Sequence, residues 1–495
     1  MNNQPNKKIY FDDDCTFCNE FICDVKNKNN SKNLDFVGIN NNQVLPENIS
    51  KEDLMKEIHF VDENGVVYKN VDALIQIFKN NNQYAFFVKL SGISLIKNVF
   101  KFFYKIFANL RHTNLSRIEI LKYVIVLGMF SGVLMSINLW TNIRSFPVVP
   151  VVENLDFINN FQLILWPLLL ISLLGVLISN KLLYVLIPTL FIYILGDQIR
   201  LQPWVYQYLI MFSILFFYTY LRKSKELKNE NQYKILTLFR IILGGIYFFS
   251  GLQKLNSNFI FEVFPWMIGP ITNIIPFNLS NLWLVFGFIV PFVEMFIGIN
   301  LFSNKNRKLA LSLAVLMHIF ILVVLGPLGH SWNSVVWSWN ISMIFLCLLL
   351  FYKVSNFSFL DVKNVFKDHF AKIIIILFLI MPFLSFLNLW DSYLSSSLYS
   401  GNTYQGEIYI SRQVKENLPK DIGKYTTTFK DNEFQLNINI WSFGELNVPV
   451  YPEIRVYKKI LRDICLFSLD KNDMTLIVKD KELNSKSYIY TCSSI

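Results

Sequence analysis

Nine apolar runs of about 20 residues each constrain this chain more than any other feature. They fall at roughly 119–140, 161–179, 182–197, 204–221, 235–253, 282–302, 308–325, 334–352 and 371–390. Backbone groups inside a bilayer have no water to bond, so runs of this kind cross as helices. Only 17% of the 495 residues are charged, where a soluble domain carries about 25%. Mean hydropathy is +0.37. The expected class is a polytopic α-helical membrane protein of about nine spans. The third run is the shortest.

Basic residues set the expected orientation. They crowd before the first run, in Arg222–Lys225 with Lys228 and Lys234, in Lys305–Lys308, and from Lys353 to Lys372. With nine crossings all of these share the side of the N-terminus. That places the protein in an inner or plasma membrane, N-terminus cytoplasmic and C-terminus extracytoplasmic. The net charge of +10 then reads as loops facing anionic lipid. No nucleic-acid motif accompanies it. Residues 1–30 are polar, so no cleavable leader is expected.

Ahead of the spans lies an α/β pattern. Strands are expected at Lys8–Phe11, Leu34–Ile39, Ile58–Val61 and Val66–Tyr68, with helices at Asn19–Lys26 and Val71–Phe78. Asp62-Glu-Asn-Gly65 is a hairpin turn signal. Cys15-Thr-Phe-Cys18 follows the first strand and opens the first helix. A thiol there is activated by unpaired N–H groups and the helix dipole. Cys15 would attack and Cys18 resolve. Asp12, Asp13 and Asp14 oppose the thiolate. Inert structural cysteines are the alternative. A zinc site is not expected, because Cys15, Cys18 and Cys23 have no fourth ligand nearer than His59.

Phe11-Asp-Asp-Asp-Cys-Thr-Phe-Cys18 resembles the hallmark of the DCC family of thiol-disulfide oxidoreductases, over about residues 6–80. Asp13 replaces the family glycine, and Asn70 stands where a glycine is usual before Asp72-Ala73. The resemblance implies a thioredoxin-like fold and a redox-active Cys15–Cys18 pair. Residues 1–82 are assigned to this domain. Residues 83–117 interleave Lys and Arg with aromatics, among them Lys97, Lys101 and Arg111. That pattern reads as helices on the cytoplasmic leaflet, or as a face packed on the neighbouring domain.

Several polar groups interrupt the apolar region. Asp197 and Arg200 lie between the third and fourth runs, ahead of Trp204. Lys254 ends the fifth run, followed by Glu262. Glu294 and His318 lie inside runs, and Gly329-His330 follows the seventh. Ionisable groups in a membrane are functional by default. Lys254 is either a snorkelling anchor or a desolvated base, which must then lack a tight carboxylate partner.

Tyr247-Phe-Phe-Ser-Gly-Leu-Gln-Lys-Leu-Asn256, with Val290-Pro-Phe-Val-Glu294 and the His318 helix, resembles the HTTM domain of vitamin K-dependent gamma-carboxylases, over residues 118–390. Where characterised carboxylases carry a histidine, this chain shows Trp204-Val-Tyr-Gln207. The resemblance implies Lys254 as base, with His330 catalytic, and a vitamin K-like quinol as cofactor. Asp197, Arg200, Trp204, Glu294 and His318 would line its site. The expected function is a quinol-linked membrane enzyme with a cytoplasmic redox domain. Its partners would be the bilayer, a peptide or lipid substrate outside, and a cytoplasmic thiol partner. Rival readings are a membrane-anchored thiol-disulfide oxidoreductase, a lipid or quinone binder, and a transporter.

Residues 391–495 form an α+β extracytoplasmic domain by the same reading. Strands are expected at Glu407–Ser411, Phe434–Trp441, Thr475–Val478 and Tyr488–Tyr490, and a helix at Glu453–Ile464. Cys465 and Cys492 would meet oxidising surroundings, where a disulfide forms.

Overall fold

The computed structural model describes residues 7–28, 34–40, 49–79, scattered positions from 88 to 104, and 116–495 apart from 142, 222–227, 274–279, 355–356, 431, 469, 471–472 and 482–486. Two compact units result, Met1–Ser116 and Arg117–Ile495.

In the first unit β1 (Lys7–Phe11) is central. It pairs in parallel with β2 (Leu34–Gly38) and antiparallel with β3 (His59–Val61). Strand β4 (Val67–Lys69) closes the order β2-β1-β3-β4. The period-2 alternation of β1 makes two faces. Ile9 and Phe11 pack on Ile22 and Val25 of α1 (Thr16–Lys28) and on Ala73 and Ile77 of α3 (Asn70–Phe78). Tyr10 packs oppositely, on Ile39 and on Leu54 of α2 (Lys51–Lys56). The β3–β4 turn is held by Asp62, whose carboxylate accepts from the N–H groups of Asn64 and Val66. Asn70 has φ +50°, the left-handed region that favours glycine and admits asparagine.

Much of the 83–117 segment, Arg111 included, lies outside the described residues. Where described, it turns to the domain. Lys97 and Lys101 pair with Asp72 at 2.6 and 2.8 Å, and the Tyr104 hydroxyl accepts from the Ile58 N–H at 2.8 Å. These lysines thus face a carboxylate of the domain.

In the second unit, eight helices among the described residues are long and apolar enough to cross a membrane. They are Arg117–Met135, Glu153–Ile178, Pro203–Leu221, Asn229–Gln253, Leu282–Asn300, Arg307–Leu325, Ser334–Phe351 and His369–Leu387. Shorter apolar helices cover Asn180–Gly196 and Phe259–Thr272. The expected third span is thus the short helix Asn180–Gly196, carrying Pro188 inside. Five helices concern the site. We label them α4 (Lys228–Gln253), α5 (Phe264–Thr272), α6 (Ser280–Asn300), α7 (Arg307–Leu325) and α8 (Ser334–Phe351). Helix α4 is the most buried of the spans and forms the middle of the bundle.

The C-terminal region folds onto one set of helix ends within this unit. Asn447 donates to the Met135 carbonyl at 2.8 Å and to the Ser334 hydroxyl at 2.6 Å. Gln202 donates to the Pro449 carbonyl, Arg455 to Gln198, and Asn258 to the Lys481 carbonyl. At the other ends Lys122 donates to Asn180 at 2.9 Å, and Arg240 to the Leu350 carbonyl at 2.8 Å. The region carries a five-stranded antiparallel sheet. Its strands are β5 (Gln405–Ser411), β6 (Thr426–Lys430), β7 (Glu433–Leu436), β8 (Met474–Lys479) and β9 (Ser487–Thr491), ordered β6-β7-β5-β8-β9. The single strand expected over Phe434–Trp441 is not formed. Asn437 ends β7 and caps a helix over Ile438–Leu446, its side chain accepting from the Ile440 N–H at 2.9 Å. A side chain that bonds its own downstream N–H favours a helix start over a ladder. Cys465 and Cys492 are disulfide-bonded.

Candidate functional site

Two chemically equipped places emerge, one in each unit. In the first, the chain leaves β1 and enters α1 at Cys15. The Cys18 N–H donates to Cys15 Sγ at 3.4 Å. That contact, at the start of a 13-residue helix, is the stabilisation a thiolate needs. Both cysteines are thiols in this structure. Neither is an exposed sulfur. Cys15 is 9% and Cys18 8% exposed, while Cys23, further along α1, is exposed.

The acidic residues have structural tasks. Asp13 Oδ1 accepts from the Asn40 N–H at 2.7 Å. Asp12 Oδ1 accepts from the Asp14 N–H at 3.1 Å and from the Asn40 amide at 3.2 Å. Gly38 admits this: a Cβ there would stand 2.6 Å from Asp13 Oδ2. Asp13 therefore pins the end of β2 to the thiol loop. His59 is buried, bonded through Nδ1 to the Glu57 carbonyl at 2.8 Å. Desolvation holds its imidazole below the usual histidine range. Among the described residues no group of three His, Cys, Asp or Glu could hold a metal ion.

The second place is a cavity of about 150 Å³ inside the helix bundle. Tyr247 and Ser250 of α4, and Lys254 directly after its last residue, line it. Spacings of three and four put them on one helix face. Glu294 of α6, His318 of α7, Trp339 and Asn340 of α8, and Ser396 and Tyr399 add further polar groups to the lining. The remaining walls are mostly apolar, including Phe259, Met267 and Leu325.

Close helix approach creates the ion pair at its centre. A Cβ on Gly251 would meet the Pro291 carbonyl oxygen at 2.4 Å, and one on Gly298 the Phe248 nitrogen at 2.6 Å. Glycines at both places let α4 and α6 touch backbone to backbone. Lys254 Nζ consequently reaches Glu294 Oε2 at 2.8 Å, with both side chains buried. It also donates to Ser250 Oγ at 2.6 Å and to the Ser250 carbonyl at 3.2 Å. The condition set for a free base, no tight carboxylate partner, is not met. The partner is not the neighbouring Glu262, which is exposed. It lies 40 residues away, on a different helix.

Beside the ion pair runs a second buried chain. The Tyr247 hydroxyl stands 2.6 Å from His318 Nε2 and 2.9 Å from Cys347 Sγ. His318 Nδ1 stands 2.6 Å from Asn340 Oδ1, and the Asn340 amide donates to the Val336 carbonyl at 2.7 Å. Sequence reasoning singled out His318 and missed Tyr247, Ser250 and Cys347. Tyr247 and Ser250 carry one available signal: they recur on the Lys254 face of the helix.

The other expected site residues lie elsewhere. Asp197 is fully buried and pairs with Arg144 at 2.6 Å. Its closest approach to Arg200 is 3.9 Å. Arg200 donates to the carbonyls of Leu139 and Tyr193, both at 2.9 Å. Trp204 packs edge-on against Trp140, with centroids 6.2 Å apart. All three hold the loop between helices and do not line the cavity. His330 also lies outside the lining. It stacks on Trp266 at 4.6 Å and bonds the Trp266 carbonyl at 2.7 Å.

Comparison with known proteins bears on the first unit. No curated protein and no solved structure matches the chain. The likeness of residues 118–390 to the HTTM domain finds no support among the family comparisons, and only the apolar helices themselves stand behind it. The DCC resemblance is supported and reaches further than the motif suggested, taking in the segment that carries Lys97, Lys101 and Tyr104. Residues 9–117 match the family model of the DCC1-like thiol-disulfide oxidoreductases.

Proposed function

We propose that this protein is a membrane-anchored thiol-disulfide oxidoreductase. One observation carries the reading: Cys15 sits at the N-terminus of α1 with the Cys18 N–H on its sulfur. The Cys15 thiolate attacks a partner disulfide and forms a mixed disulfide, releasing one partner thiolate. Cys18, deprotonated, then attacks Cys15 Sγ and releases the second. The Cys15–Cys18 bond forms, and the partner leaves carrying both electrons and, after protonation, two thiols. Basic loops support a cytoplasmic first unit, and the Cys465–Cys492 bond supports an extracytoplasmic C-terminal region. Nine crossings, the short Asn180–Gly196 helix included, fit both. The natural partner is a cytoplasmic protein disulfide.

The test is trapping. Cys18→Ser in the full chain should accumulate a mixed disulfide through Cys15, resolved by reductant. Cys15→Ser should trap nothing and lose turnover of a model disulfide. Equal turnover in Cys15→Ser and wild type would refute the assignment.

A second reading concerns the bundle, because a mere anchor needs no buried Lys254–Glu294 pair beside His318 in a cavity. That cavity suits a lipid-soluble molecule with an aromatic body, such as a quinol. Saturable binding of such a molecule to the purified protein tests it. The carboxylase-like use of Lys254 as a base would first require the Glu294 contact to break.

A further inference from the structure

We propose that Glu294, with Ser250, is the recognition pair of the cavity, and that the site takes an aromatic-sized apolar molecule headed by a hydroxyl. This rests on reading the cavity as a ligand site.

The argument counts protons. An ammonium has three donors and no acceptor. Those of Lys254 meet Glu294 Oε2, Ser250 Oγ and the Ser250 carbonyl. Lys254 therefore has nothing left to offer a ligand. The second chain is also internally matched. The Asn340 amide nitrogen is committed to the Val336 carbonyl, which turns Oδ1 toward His318. An acceptor there requires the proton on His318 Nδ1, so Nε2 accepts from the Tyr247 hydroxyl. Tyr247 oxygen then accepts from the Cys347 thiol.

Beside Lys254, two groups lining the cavity remain unspent. Among the described residues Glu294 Oε1 accepts no hydrogen bond, although the residue is only 4% exposed. The Ser250 hydroxyl accepts from Lys254, and its own proton has no acceptor among the described residues. Glu294 lines the cavity, so a ligand there can supply the donor that its Oε1 lacks, and a bond to a charged group is among the stronger ones. A hydroxyl group both donates and accepts, so one hydroxyl serves both, donating to Glu294 Oε1 and accepting from Ser250. An ammonium could serve only the first. A cavity near 150 Å³ has the capacity that holds a benzene-sized ring in an apolar setting. Lys254 is then a positioning residue, holding Glu294 Oε2 so that Oε1 faces the ligand.

The experiment uses the full chain in lipid nanodiscs. Binding of para-cresol, para-xylene and 4-methylbenzylamine is read by quenching of tryptophan emission, Trp339 lying in the wall. Para-cresol should bind about tenfold or more tighter than para-xylene, the size of effect a bond to a charged group supports. Ser250→Ala should weaken para-cresol several-fold and leave para-xylene unchanged. Equal binding of cresol and xylene to the wild-type protein would overturn the recognition pair and leave an apolar site. Tightest binding by the amine would overturn the hydroxyl assignment. Binding of none would overturn the ligand reading of the cavity itself, along with this inference.

Discussion

Cutting the Lys254–Glu294 pair should be expensive from either side and much cheaper from both. The pair is 2.8 Å long, with the two side chains 8% and 6% exposed. Glu294→Leu leaves an ammonium whose other partners are the two Ser250 oxygens. Lys254→Met leaves a carboxylate with no partner among the described residues. Removing one member of a buried pair costs about 3–5 kcal/mol, whereas an apolar replacement of both is often near neutral. The double variant Lys254→Met with Glu294→Leu should therefore be more stable than either single one, a coupling of several kcal/mol that distant sites never show. The assay is the apparent unfolding temperature of the purified protein, followed by loss of its monodisperse gel-filtration peak. A domain of about this size shifts by about 2–4 °C per kcal/mol, so each single variant should melt roughly 6–20 °C lower. Additive losses, or single variants within about 1 °C of wild type, would refute the buried pair. They would leave Lys254 as a lysine reaching to the interface.

Cys23 should react with a maleimide faster than Cys15 or Cys18 in the native protein, since it is the exposed thiol of α1; mass spectrometry of partially labelled protein reads the order, and Cys15 labelling first would contradict the burial. Asn70→Val should destabilise the first unit by about 1–2 kcal/mol, because a β-branched residue resists the left-handed φ of +50°, whereas Asn70→Gly should be near neutral; hydrogen exchange of α3 measures both. Cys465→Ala with Cys492→Ala opens a 27-residue separation and should cost about 3–4 kcal/mol by chain entropy, seen as a lowered melting point that reductant reproduces in wild type. Desolvation raises the Asp72 carboxyl, but the Lys101 and Lys97 ammoniums outweigh it and hold it below the usual range. Its folded value lies below its unfolded one, so this stability is present above about pH 4 and fades as pH falls further. Asp72→Asn should remove that part of the acid sensitivity.

Much of the first unit is legible in its residues. Ile9, Tyr10 and Phe11 alternate because strand side chains alternate, and Asp62 with Gly65 announces the hairpin. Cys15-x-x-Cys18 needs only local geometry to place a sulfur at a helix start. The membrane class is equally local, since it follows from the length and polarity of the runs. Where one strand expectation fails, at Asn437, the reason is also local: a capping side chain outcompetes the apolar alternation of Phe434–Trp441.

Partners in the bundle were decided elsewhere. Glu262 is eight positions from Lys254 and points away, while Glu294, forty away, is the partner. Asp197 lies beside Arg200 in sequence and binds Arg144. Span helices are apolar around most of their circumference, so their pattern does not mark which face turns inward. Those faces are selected by close packing, here by Gly251 and Gly298 letting two backbones meet. The sequence by itself determined a membrane chain headed by a thiol domain. The tertiary structure decided that Lys254 is held by a carboxylate, because only helix packing brings side chains forty residues apart within hydrogen-bond reach.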